Sequence, residues 1–347
     1  MAKRIAQLIL ILSGISYLSV FISPAIFWPS GFISLSIPAF LFLNLLLLIY
    51  FITSRSRLLV YPIFALALGF GFWKYTFSWN GANTNPPHFS VLSYNVRVFN
   101  VYDHLNENYQ SSREMIKWVK ENTADIKCIQ EFYNNPDSDI FNTVHGIGIS
   151  RQYDHYFQKG SNDQFGLAIF SKYPIINRGL VGTDPRKFNH VIFTDVVMRK
   201  DTVRVYNMHL ESMSIDEDAL VNPDPDYLEK ELKNLWQKLK YGFETRAQQV
   251  DLLVKHIKDS PYPVVLAGDM NDVPYSYSYR CLKKVLSNSF ESRGRGFGTT
   301  YNGRIPFLRI DNQFFSSGIQ GVNFDTHQQV VHSDHFPITA EYKLKRN

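Results

Sequence analysis

The first eighty residues of this 347-residue chain contain no aspartate and no glutamate. Their only charges are Lys3, Arg4, Arg55, Arg57 and Lys74, five in all, against a formal net charge of +5 for the whole chain. Residues 81–347 therefore sum to 5 − 5 = 0, and the basic isoelectric point near 8.9 belongs to the N-terminal segment. A neutral remainder argues against tight, sequence-blind nucleic-acid binding, which depends on clustered Lys and Arg. Cysteine is nearly absent too: Cys128 and Cys281 are the only two. That excludes a disulfide-rich scaffold and a cysteine-based zinc site. Cys128 lies in an apolar strand pattern and reads as a buried thiol. No internal repeat is visible.

Long apolar runs are what the acid-free segment holds instead: Ile5–Trp28, Ile33–Ile52 and Leu58–Phe77. Each approaches the roughly 20 residues a helix needs to cross the hydrocarbon core of a bilayer. A cleavable signal peptide or buried core helices are the plainer readings. The first run, however, exceeds the ~7–15 residues of a signal peptide's apolar region. The expectation is three transmembrane helices over residues 1–80, the third with Pro62 near its start, where a first turn tolerates proline. Lys3, Arg4, Arg55 and Arg57 would face the cytoplasm. Three crossings then give a multi-pass protein of the cell membrane whose remainder lies outside the cytoplasm, with Lys74 snorkelling to the interface.

After a linker at 81–88, residues 89–347 alternate strand and helix signals. Strands are expected at 89–96, 125–130, 166–171, 191–198, 203–209, 264–268, 309–316 and 338–344. Val191–Met198 and Val203–His209 form a hairpin across a short charged turn. Ser112–Asn122 and Thr245–Lys258 carry helical spacing. The pattern reads as α/β, two sheets packed together with helices outside. Residues 213–242 look inserted: Asp216, Glu217, Asp218, Asp224 and Asp226, then Leu228–Phe243 with helical spacing. The plain reading is an acidic loop and a surface helix. The sharper ones are a lid, or a helix lying against the membrane.

Val264-Val265-Leu266-Ala267-Gly268-Asp269-Met270-Asn271 is a buried-strand signal ending in a carboxylate and a carboxamide two residues apart, hence on one side of an extended chain. An ordinary Asx-turn uses the same residues. Yet polar groups stand at the ends of the other strands as well: Asn95, Glu131, His209, Asp311, and Asp334 with His335. Strand ends on one side of a sheet converge where α/β folds place ligands. These are groups that handle hard metal ions and phosphoryl oxygens.

In order along the chain, Ser93-Tyr94-Asn95-Val96, Ile129-Gln130-Glu131, Asn207-Met208-His209-Leu210, Gly268-Asp269-Met270-Asn271, Arg309-Ile310-Asp311 and Ser333-Asp334-His335-Phe336-Pro337-Ile338 resemble the endonuclease/exonuclease/phosphatase superfamily. The resemblance spans about 89–345. It implies a four-layer α/β/β/α sandwich of DNase I-like type and hydrolysis of a phosphodiester or phosphomonoester dependent on Mg²⁺, with Mn²⁺ as the alternative ion. It makes Glu131 the chief metal ligand, with Asn95 and Asp334 completing the site. His335 would be the general base, oriented by Asp311, with Asp269 and Asn271 on the water or phosphoryl oxygens and His209 on the leaving oxygen. A rival assignment makes Asp269 the base and gives His335 to the phosphate. Asn312 replaces the family's usual aromatic, and Phe132-Tyr133 follows Glu131 where some nucleases carry a basic residue. Both departures, with the neutral charge, weigh against a nuclease. A membrane-tethered phosphohydrolase of a lipid headgroup, nucleotide or inositol phosphate is the expected function. The alternatives are an extracytoplasmic nuclease, with Arg293-Gly294-Arg295 as a phosphate-contacting loop, and an inactive tethered binding module.

Overall fold

The computed structural model describes residues 1–84, 86–102, 109–160, 164–182, 189–213 and 225–345, the side chains of 225–232 excepted. By contact density the chain divides into two units. The first is Met1–Phe77 with Met213–Val250 and Asp272–Leu282; the second is Ser78–Ser212 with Asp251–Asn271 and Lys283–Asn347.

Among the described residues, twelve strands build the second unit: β1 Phe89–Asn95, β2 Ile126–Tyr133, β3 Asp154–Lys159, β4 Phe165–Ser171, β5 Ile175–Val181, β6 Val191–Met198, β7 Asp201–His209, β8 Val264–Asp269, β9 Ser287–Asn288, β10 Asp311–Phe315, β11 Ile319–Thr326 and β12 Ile338–Leu344. They form two six-stranded sheets, ordered β11-β12-β1-β2-β4-β3 and β5-β6-β7-β8-β10-β9. Each sheet is antiparallel except for one inner parallel pair, β1 with β2 and β7 with β8. Period-two alternation gives β1, β2 and β4 of the first sheet two apolar faces. Val91, Cys128 and Ile169 face inward to meet Ile192, Val205 and Val265 of the second sheet. Leu92, Ile129 and Phe132 face outward, onto Met115 and Val119 of a helix at Gln110–Glu121. Burying both faces is why these strands read as continuous apolar runs.

Buried amides tie the sheets together. Gln130 Nε2 donates to Asn207 Oδ1 at 2.6 Å, and Asn207 Nδ2 donates to the carbonyls of Ile129 and Ala168. On the outer side of the second sheet, His256 of the helix Pro225–Lys258 meets Tyr206, hydroxyl to Nδ1 at 2.8 Å, and the Phe193 ring. The layering is therefore α/β/β/α, the expected sandwich. Residues 213–242 differ from expectation. Among them Pro225 onward joins the expected 245–258 helix in one continuous element, because Gly242 weakens a helix without breaking it. Asp216, Glu217, Asp218 and Asp224 lie outside the described residues, and Asp226 lies in this helix with its side chain undescribed. The segment 81–88, read as a linker, is pinned: Asn83 N–H donates to Val322 and His88 N–H to Tyr342, and Ser78 ahead of it bridges to Gly296. Cys128 and Cys281 are both buried and free.

The first unit departs from three full-length spans. Among the described residues one helix, Pro29–Thr53, is long and apolar enough to cross a membrane; Arg57–Leu68 with Phe70–Thr76 passes only as a pair bent by 59°. The run Ile5–Trp28 is helical only over Ala2–Ser19. That helix ends with Val20 as its C-cap, four residues before Pro24. The bend in the third run falls at Gly69, between its two helices. The three-helix, multi-pass expectation is corrected, and the sidedness counted from three crossings goes with it. What the unit does show is an unusual interior. Ser16 bonds Ser36 hydroxyl to hydroxyl at 2.8 Å, and Asn44 Nδ2 donates to Ser13 Oγ at 2.8 Å, all four within the helix packing. Leu8, Ile11, Leu18, Phe42, Leu46 and Ile49 lie on its exterior.

Candidate active site

The parallel register decides where the polar groups go. Asn95 stands beside Gln130 on β2, so Glu131 follows one step beyond. His209 stands beside Asp269, and Asp269 beside Asp311 on the antiparallel β10. Because β10 and β12 run against their neighbours, Asp311 and the Asp334-His335 pair arrive at the same edge from their N-terminal ends.

There the side chains join in a chain of contacts. Asn95 Nδ2 donates to Glu131 Oε1 at 3.1 Å and to Asp269 Oδ2 at 3.0 Å. His209 Nε2 lies 3.5 Å from Glu131 Oε1 and 3.7 Å from Asp269 Oδ2. His335 Nε2 lies 3.8 Å from Asp269 Oδ2, while its Nδ1 bonds Asp311 Oδ2 at 2.9 Å. Asp269 is the hub: its other oxygen accepts the Asn271 N–H at 2.7 Å. The Asn271 carboxamide turns away and donates to the Leu210 carbonyl. Asp334 accepts from Ser333 Oγ and lies 3.9 Å from Arg97 Nε. Of the carboxylates, the Asp269 side chain is 1% exposed, whereas Glu131 is 36% and Asp334 37%. The site has a closed floor and an open acidic mouth.

The backbone is shaped to this end. Gly268 sits at φ +139°, and a Cβ there would lie 2.0 Å from the Met208 carbonyl oxygen, so only glycine lets β8 deliver Asp269 beside His209. Glu131 at φ 49° and Asn271 at φ 48° take left-handed conformations that cost non-glycine residues energy. Arg97, Val98, Phe99 and Asn100 do so in succession. Such strain persists only where surroundings enforce it, and it collects at functional sites. Here Asn100 Nδ2 is held by the His332 carbonyl at 2.7 Å, and Phe99 is buried.

Burial disfavours a charged His335, but Asp311, Asp269 and Asp334 outweigh it and raise its pKa from 6.5 to about 10. Burial raises Asp311 as well, even against the pull of His335. The two share one proton, and at neutral pH the nearby carboxylates keep it on the imidazole.

Asp269, Asp311 and His335 also present ligand atoms within 4.8 Å of one another. That trio is buried, and Asp311 already accepts from His335. Glu131 and Asp334 are the more open carboxylates of the edge. Asn95, with its nitrogen on both Glu131 and Asp269, spaces those carboxylates.

The sequence reading did not single out four groups that hold the site. Ser333 Oγ donates to the Asn95 carbonyl at 2.9 Å. Thr300 Oγ1 accepts the N–H groups of Ile310 and Asp311, each at 3.0 Å. Gln130 and Asn207 lock the two sheets directly behind Glu131 and His209. Their signal was weak, a hydroxyl or amide beside a motif residue. Asn312 faces away from the site, accepting from Asn288 at 3.1 Å and from buried Arg309, so its departure from the usual aromatic leaves the cluster untouched.

Several solved structures share this fold. An endonuclease/exonuclease/phosphatase of Bacteroides vulgatus aligns at 17% identity over 74% of this chain and 99% of its own, TM-score 0.54. A mannosyl-6-phosphatase of Bacteroides thetaiotaomicron aligns at 18% over 74% and 100%, TM-score 0.52. TDP2 of D. rerio, complexed with a single-strand DNA product, aligns at 15% over 74% and 98%, TM-score 0.51. No curated protein matches in sequence. Residues 4–76 match a domain of unknown function. Residues 92–335, well over half the chain and containing every group at the strand edge, match the endonuclease/exonuclease/phosphatase family model, so this protein belongs to that family of phosphoester hydrolases.

Proposed function

We propose that the protein is a Mg²⁺-dependent phosphoester hydrolase, catalytic over 89–347 and held at a lipid bilayer by the apolar segment within residues 1–80. The observation that carries the first half is the unbroken run of contacts under 4 Å from Glu131 through His209 and Asp269 to His335 and Asp311. Glu131 and Asp334 would hold the ion, with Asn95 donating to Glu131 and to Asp269. The ion supplies charge neutralisation and activation of water when bound. Asp269 takes the proton of the attacking water. His335, kept protonated and oriented by Asp311, and His209 donate to the phosphoryl and leaving oxygens. This is the rival of the two assignments set out above; the position of Asp269 between both imidazoles supports it. Asn271 fixes Asp269 through its main chain.

The second half is supported by Pro29–Thr53, only 22% buried although strongly apolar. A core helix of a water-soluble protein would be mostly covered. The substrate class is a lipid headgroup, nucleotide, sugar phosphate or inositol phosphate; the zero net charge of 81–347 weighs against DNA or RNA. The test is a panel of these phosphoesters with DNA and RNA, using the full-length protein in lipid with and without Mg²⁺, beside Asp269→Asn. Mg²⁺-dependent release of phosphate or alcohol, lost in the variant, is expected. Inactivity on every substrate, or full activity of Asp269→Asn, overturns the reading.

A further inference from the structure

The helix Pro225–Lys258 carries, on its first-unit portion, a stripe unlike an ordinary solvated face. Lys233, Trp236, Gln237, Lys240 and Tyr241 recur at helical spacing, and all are exposed, Trp236 at 47% and Tyr241 at 54%. Residues 233–243 hold three lysines and no acid. A single exposed aromatic needs no explanation, but a Trp and a Tyr between lysines on one stripe form the pattern of a helix at a membrane–water interface.

Packing within the first unit places this stripe beside the apolar span. The Trp236 ring lies 5.0 Å from Phe32 and 5.8 Å, edge-on, from Trp28. Two turns on and nearly in line with Trp236, buried Phe243 lies so close to Gly31 that a Cβ on the glycine would meet the ring at 2.6 Å. Trp28 immediately precedes Pro29, the first residue of the span. The loop before it continues the apolar surface through exposed Ile26 and Phe27. Trp28, Phe32 and Trp236 thus gather at one end of the span, where the hydrocarbon core gives way to headgroups.

We infer that the stripe Lys233–Tyr241 is a docking surface for a bilayer of anionic lipid, Trp236 and Tyr241 seated at headgroup depth and Lys233 and Lys240 against lipid phosphates. Lys240 also lies 3.9 Å from Glu244, an exposed pairing weak enough to yield to a headgroup. The inference rests on the bilayer reading of Pro29–Thr53 and adds a depth and a headgroup charge to it.

The experiment uses full-length protein in vesicles of phosphatidylcholine, with or without phosphatidylglycerol. Cys128 and Cys281 are buried, so a nitroxide can be directed to Tyr241→Cys, to Leu46→Cys in the span and to Lys200→Cys on the catalytic unit. Each label's accessibility to oxygen and to a water-soluble nickel chelate is read by electron paramagnetic resonance. The expected oxygen-to-nickel ratio at 241 falls between those at 46 and 200. It rises on adding phosphatidylglycerol, and that rise disappears in Lys233→Gln/Lys240→Gln. A label at 241 as open to nickel as that at 200, while 46 is in lipid, overturns the inference and leaves the anchor standing. If 46 is also in water, the anchor reading fails with it. Shielding at 241 from both reagents with dipolar broadening would show a second copy on the stripe, and a phosphatidylglycerol effect surviving the double variant would remove the lysines' role; either overturns the inference.

Discussion

The two units of this chain distribute polar and apolar side chains differently. In the catalytic unit, Val91, Ile169 and Val205 are inside and the polar groups are gathered at one edge. In the first unit, Ser13, Ser16, Ser36 and Asn44 hydrogen-bond within the packing while Leu18, Phe42 and Leu46 face out. Water rewards the first arrangement through the hydrophobic effect. In the bilayer proposed for the first unit that reward would be missing, and small residues and interhelical hydrogen bonds would hold the helices instead. The first unit also keeps an apolar cluster, Tyr17, Val20, Ile37 and Leu41, so the difference lies in what its exterior carries.

The comparison can be broken at several points. The largest effect is expected at the polar edge: Asp269→Asn should lower phosphoester turnover by about 10³-fold, roughly 4 kcal/mol of transition-state stabilisation, with folding intact by circular dichroism. Retained turnover would make that edge structural. Next, Phe132→Ala, in the outer core of the catalytic unit, should cost about 3–5 kcal/mol in urea unfolding. Leu46→Ala, on the exterior of the first unit, should change stability in lipid by under about 0.5 kcal/mol. Equal losses would mean that both units have the same kind of core. A pH series on chelator-treated protein sharpens the electrostatics. His335, raised from 6.5 to about 10 by its carboxylates, gives stability that is complete below pH 6.5 and lost as pH rises through 10. Asp311→Asn should flatten that decline in urea midpoints; an unchanged slope would place the charge coupling elsewhere. The smallest effect is the inter-sheet amide bond. A double-mutant cycle on Gln130→Ala and Asn207→Ala should give a coupling of about 1 kcal/mol, and additivity would show the sheets do not rely on it.

What could be read in advance followed from local pattern. β1, β2, β4, β7 and β8 are apolar on both faces, so their runs stood out. The sheet-edge strands β3, β5, β9 and β11 did not: Asp154–Lys159 and Ile175–Val181 mix polar and apolar residues and are strands because a neighbour pairs with them. Asn95, Glu131, His209, Asp269, Asp311 and His335 were visible as polar residues ending apolar runs. The support from Thr300, and the left-handed turn at Arg97–Asn100, left no local trace, and Ser333 was legible only as a hydroxyl opening a motif. In the N-terminal segment composition announced the apolar character. The end of the first helix at Ser19 and the bend at Gly69, which leave one full-length span among the described residues, weigh little in a hydropathy pattern.

Mn²⁺ titration of the chelator-treated full-length protein by calorimetry tests the central claim, that the sheet edge gathers one metal-assisted hydrolytic site. Saturable binding at one edge, weakened at least about tenfold in both Glu131→Gln and Asp334→Asn and tracking the loss of turnover, is the predicted result. Undiminished binding in both variants would contradict it.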